Sequence, residues 1–142
     1  MADFAAILAA IATKCGATSG VNFASATKLE SIPDSPGVVV TGFTIDYERG
    51  MGLETASLNV SADLLVAKPG DLADALALVY TLVESLRVAA RTGTQLGYAA
   101  YVQDSWIERA ETGKMEYGGN EYVGAKLTWR VLLWETAIER TA

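Results

Sequence analysis

The carboxylates are the side chains best placed for chemistry in this sequence. Asp71 and Asp74 stand three residues apart at the head of an apolar-periodic stretch. Such a pair can chelate a cation or divide acid and base work between two groups. A helix start, with Asp71 as N-cap and Asp74 as a negative charge favoured by the helix dipole, explains the pair without further chemistry. Glu108, Glu111, Glu116 and Glu121 form a second acidic group around two turn signals. It reads either as a solvated face or as a charged rim meeting a basic neighbour. Histidine is absent, which excludes Ser-His-Asp and Cys-His catalysis and every His-based metal site. The single cysteine, Cys15, can form neither an internal disulfide nor a zinc cluster, and is expected to be buried and inert. Gly50-Met51-Gly52 precedes a strand, so it lacks the strand-turn-helix setting of a dinucleotide loop, and no Gly-x-x-x-x-Gly-Lys cradle is present. The expectation is no enzyme, with no catalytic residue, no metal and no cofactor.

The 142 residues suit one domain with a buried core, and 51% hydrophobic with 20% charged residues is an ordinary globular balance. No apolar run approaches the roughly 20 residues of a membrane span. The alanine-rich start lacks the basic region of a signal peptide. A net charge of -6 without a basic run makes the chain a poor candidate for gripping phosphates.

The stretch from Ala56 to Arg91 organises the rest. Ala56, Leu58, Val60, Ala62, Leu64 and Val66 alternate with Ser57, Asn59, Ser61 and Asp63, which predicts a half-buried strand. Lys68-Pro69-Gly70 ends it. Leu72, Ala75, Leu76, Val79, Val83, Leu86 and Ala90 then recur at helical spacing, with Arg87 and Arg91 in the last turns and Gly93 to close the end. Upstream, Phe4, Ile7, Leu8 and Ile11 predict a helix over about residues 2 to 14 that packs on the core or docks on a neighbour. Residues 17 to 37 are Ser-, Thr- and Ala-rich; they hold a short strand near Val21–Ala24 or are ordered by a partner. Val38-Val39-Val40 opens a strand to about Ile45, and Asp46 to Gly52 read as a loop. Tyr98 to Ala110 is extended with a muddled face, Thr112-Gly113-Lys114 and Gly118-Gly119-Asn120 read as turns, and Tyr122 to Trp134 is the last strand.

The predicted class is α+β, a mainly antiparallel sheet of about four strands with helices on one face, in the order α-β-β-α-β-β. Leu58, Val60, Leu64, Val66, Leu76, Val79, Val83, Leu86, Leu127, Trp129 and Val131 are the expected core. Trp134 lies on the face opposite Trp129, so the second face is expected to be covered at that end, by the core or by a partner. Asp46–Gly52 and the arm Thr112–Asn120 hold little that can offset their ordering entropy alone. A neighbour is expected to order them through Tyr47, Met51, Met115 and Tyr117, with Glu48, Arg49, Glu111, Lys114 and Glu116 setting register by charge.

Pro33-Asp34-Ser35-Pro36 with Gly37-Val38-Val39-Val40, then Lys68-Pro69-Gly70-Asp71 feeding a helix, then Gly118-Gly119-Asn120-Glu121-Tyr122-Val123-Gly124-Ala125, occur in a familiar order. Over about residues 33 to 134 this resembles the tail terminator and related head-to-tail neck proteins of siphovirus-like bacteriophages, particularly those of actinobacterial hosts. The resemblance implies one domain over 1–142: an N-terminal helix and long loop to 36, an α+β core over 37–134 and a tail over 135–142. It implies a structural virion protein, assembled in the host cytoplasm, that closes into a homo-oligomeric ring, commonly a hexamer. That ring caps the tail tube and joins it to the connector or stopper below the head. DNA passes through its bore without specific binding, no membrane is involved, and the family brings no catalytic residues. Tyr98 to Trp106 is longer and more aromatic than the family pattern. Two other readings stand beside this one: a tail tube or other neck protein of the virion, and a small acidic ligand-binding or enzymatic domain.

Overall fold

The computed structural model describes residues 4–26, 36–50, 53–67, 72–97 and 102–134. Two helices and five strands follow one another as α1 (Phe4–Gly16), β1 (Phe23–Ser25), β2 (Gly37–Gly50), β3 (Leu53–Ala67), α2 (Leu72–Ala90), β4 (Val102–Tyr117) and β5 (Asn120–Leu133). The strands form one sheet in the order β1-β2-β3-β5-β4. The α+β class stands, with five strands rather than about four. The fifth, β1, is the short strand that is one of the two alternatives near Val21–Ala24; it pairs parallel to β2 through Phe23 opposite Gly37 and Ser25 opposite Val39. All other pairings are antiparallel.

β3 sets the register. Its Ala56, Leu58, Val60, Ala62, Leu64 and Val66 are buried beneath both helices, in one cluster with Ile7 and Ile11 of α1 and Val79, Leu82 and Leu86 of α2. β5 adds Val123, Ala125, Leu127, Trp129, Val131 and Leu133 to the same face. The helical stripe is the expected one through Ala75, Val79, Leu86 and Ala90, with Leu82 added. Ala75, Val79, Leu82, Leu86 and Ala90 are buried, while Leu76 and Val83 pack only at its margin. Three- and four-residue steps fit either choice, and the tilt of α2 on the sheet selects Leu82.

Two expected loops are strands. β2 continues through Asp46 to Gly50, which pairs with Leu53 across a two-residue connection. Thr112-Gly113-Lys114 lies inside β4, paired with β5 up to Tyr117 opposite Asn120. Only Gly118 and Gly119 turn, both at positive φ (58° and 79°), as a two-residue hairpin requires. The arm is also anchored. Met115, Tyr117 and Tyr122 form a second cluster with Val39 and Leu65, and Phe23 packs against it. This cluster lies on the face away from the helices, so the second face is covered at the β4–β5 turn. At the opposite end, where cover was expected, Leu132 is half-buried and Trp134 is 41% exposed.

Gly124 marks the tightest contact. A Cβ there would lie 1.9 Å from the Leu64 carbonyl oxygen and 3.2 Å from the Met115 sulfur. β3 carries a register shift between Leu65 and Ala67 beside this point. Gly124→Ala should therefore cost at least about 2 kcal/mol of stability, because backbone must move. Gly42→Ala, with nothing within 4 Å of its Cβ, should be neutral or stabilising. Thermal unfolding of the two variants tests the contact; equal midpoints would refute it. In the same assay Leu82→Ala should lose about 2–4 kcal/mol, and Val83→Ala clearly less.

Candidate functional site

With both helices on one face, the other face of the sheet is open, among the described residues, beyond the cluster at the β4–β5 turn. Across β3, β5 and β4 its residues stand in rows: Asp63, Lys126 and Glu111; Ser61, Thr128 and Arg109; Asn59, Arg130 and Trp106; Ser57, Leu132 and Asp104. Period-two alternation on β3 and β5 delivers the first two members of each row. β4 alternates irregularly because register shifts fall between Val102 and Asp104 and between Ile107 and Arg109. These bulges are the physical origin of the muddled pattern in the sequence.

The polar groups of this face hold one another. Arg130 Nη1 lies 3.3 Å from Glu108 Oε1, and Arg109 is ion-paired with Glu111. Asn59 donates from Nδ2 to Asp46 Oδ2 at 2.7 Å, and the Thr41 hydroxyl donates to the Ser61 carbonyl at 3.2 Å. The side chains of the two ion pairs are 33–69% exposed, so each pair contributes at most about 1 kcal/mol to folding. A depression in the face is bordered by Thr41, Asp63, Arg109, Glu111, Lys126 and the Gly118-Gly119 turn. Among the described residues no group of three or more His, Cys, Asp or Glu gathers as a metal site, and no helix is long and apolar enough to cross a membrane.

The residues expected to meet a neighbour are scattered by the fold. Tyr47 (57% exposed) and Glu48 project from the end of β2. Glu111, Lys114 and Glu116 lie exposed along β4, with Lys114 3.8 Å from Glu121. Met115 and Tyr117 are buried inside their own subunit at 9% and 4% exposure, which removes them as anchors for another chain. Their glycine- and charge-rich surroundings resembled a loop, and only the pairing with β5 distinguishes the two. Met51 and the side chain of Arg49 lie outside the described residues, as does Asp71; Asp74 is exposed in the first turn of α2. Exposed apolar residues unforeseen in the sequence are Phe43, whose ring centroid is 5.6 Å from that of Phe4, and Leu78, Tyr80 and Val88 on the outer side of α2.

On the helix side, Lys14 joins the two helices. Its ammonium donates to the Gly93 carbonyl at 2.9 Å and to the Thr92 carbonyl, closing the C-terminal end of α2 where the helix dipole favours a cation. Partial burial lowers the pKa of that ammonium. Ser105, buried on β4, donates its hydroxyl to the Thr94 carbonyl at 2.6 Å and fastens the segment after α2 to the sheet.

No family model matches the chain, and no curated protein does. Architecture therefore defines the class: an α+β protein with one helix-covered and one open sheet face. Among solved structures it is similar to a chain in the virion of a native gene transfer agent particle. The TM-score is 0.56 at 14% identity, over 89% of this chain and 93% of that chain. At that identity the likeness is one of fold.

Cys15 is fully buried, and desolvation pushes its thiol from 9.0 up to about 12, against a smaller opposing effect of Lys14. The neutral thiol thus favours the folded state. That contribution is complete below pH 9.0, the ordinary value, and is lost as pH rises through about 12. An alkylating reagent at pH 8 should label Cys15 only after unfolding; rapid labelling of native protein would contradict the burial.

Proposed function

We propose that this chain is a structural virion protein that closes into a ring, with six copies, at the junction of a phage-like tail and head. The observation that carries the reading is the fold, shared over nearly its whole length with a virion chain. It is joined by the sequence resemblance to tail terminators and by the distribution of free sheet edges. In the order β1-β2-β3-β5-β4, β4 lies at one edge, and at the other, among the described residues, β2 pairs only through its three residues opposite β1. These are different surfaces, so contact between them in successive copies is heterologous, and a heterologous contact that closes makes a ring. β4 runs opposite to β2 within the sheet, so joining one copy's β4 to the next copy's β2 continues the antiparallel alternation. Glu111, Lys114 and Glu116 on β4 and Tyr47 and Glu48 at the end of β2 then set the register of the joint. The bulges and charges of β4 restrict that edge to a matching partner.

In such a ring the helices face outward and the open polar face lines the bore through which DNA passes. The ring's partners are the tail tube protein on one side and the connector or stopper on the other. The role is structural rather than catalytic. Native mass measurement of the purified protein should find a six-fold species, and particles should carry one ring each. Removing the protein during assembly should leave separate heads and tails of uncontrolled length. A protein that stays monomeric at assembly concentrations would defeat the ring. Many copies along each tail would instead identify a tube subunit.

A further inference from the structure

We propose that the acids of the open sheet face mask its cations, so that a double-stranded polyanion slides over the face without being held. Lys126, Arg109 and Arg130 lie in adjacent rows of this face, on β5 and the neighbouring β4. Unopposed, three such groups in neighbouring rows would hold phosphate through charge-assisted hydrogen bonds. Each is opposed. Glu108 meets Arg130 at 3.3 Å, Glu111 pairs with Arg109, and Lys126 stands in register between Asp63 and Glu111. The bulge in β4 makes this arrangement. Regular alternation from Trp106 would send Arg109 and Glu111 to the helix side; the extra residue at Glu108 carries both to the open face, an arginine together with its own acid. Such exposed pairs add little to folding, so their main effect is on the field at the surface. The inference rests on the reading of this face as the lining of a bore.

The experiment compares wild type, Glu108→Gln/Glu111→Gln and a control, Asp74→Asn/Glu84→Gln. The control removes the same charge from α2 and frees Arg87 from its pair with Glu84 on the helix side. Binding of a labelled 20-base-pair DNA duplex is read by fluorescence anisotropy, and native mass is measured on the same samples. The open-face variant should bind at least about tenfold more tightly than the control at about 50 mM salt, lose that binding by about 200 mM, and wild type should not bind. A gain no larger than the control's, or wild type binding as tightly as the variant, overturns the masking. A ring without the gain removes the masking and leaves the bore standing. The gain in the variant, with a wild type that forms no ring, keeps the masking and removes the bore; loss of the ring in the variant alone bears on Glu111 at the β4 joint and not on the bore.

Discussion

The alternation on β3 is the constraint on which the rest depends. Its buried residues from Ala56 to Val66 face both helices, while Asn59, Ser61 and Asp63 face the other way. A slip of one residue would bring those polar groups into the core and expose Leu58, Val60 and Leu64, so register is strongly fixed. β2 and β5 inherit it through pairing, and β4 inherits it from β5. The division between a helix-covered face and an open face follows from this one strand. At the Gly124 contact the same register brings the Leu64 carbonyl so close to β5 that a side chain has no room.

Features that bury a periodic stripe were legible in the sequence. β3, α2 and β5 were found because their periods are unbroken over several residues. Leu82 is missing from the expected stripe because three- and four-residue spacing fits it and Val83 equally well. β1, only three residues long, is too short to show a period. The sequence of Asp46–Gly52 and of the arm Thr112–Asn120 reads as loop because glycine and charge mark an edge strand as readily as a turn, and the structure makes strand of the first up to Gly50 and of the second up to Tyr117. Gly113 shows the ambiguity: it sits at φ 149° inside β4, opposite Gly124. The open face was least legible, because the β4 bulges decide which side chains join it, and a bulge leaves only an irregular pattern in the sequence.

The stability of the subunit and the character of its open face come from different interactions. Apolar burial beneath the helices, the Lys14 bridge and the Ser105 bond hold the domain together. The Arg130–Glu108 and Arg109–Glu111 pairs contribute little to folding and can vary without endangering it. The fold can thus be retained while the charge of the face and the β4 edge are altered, in keeping with 14% identity to a virion chain of the same fold. One cost stands in the core itself: the buried Trp129 Nε1 has no hydrogen-bond partner among the described residues, a desolvation penalty of about 1–3 kcal/mol that the surrounding apolar burial must outweigh.

That buried indole has a spectroscopic consequence. The chain carries three tryptophans: Trp129 is fully buried, Trp106 is 36% exposed on the open face, and Trp134 is 41% exposed just past the end of β5. Fully buried in the apolar core, the excited state of Trp129 relaxes little and emits at short wavelength. Trp106 and Trp134, in contact with water, emit at longer wavelength and are open to soluble quenchers. The protein therefore carries separate optical reporters of core integrity and of events on its open face. Coverage of that face would shift only the long-wavelength component, and loosening of the helix layer only the short one.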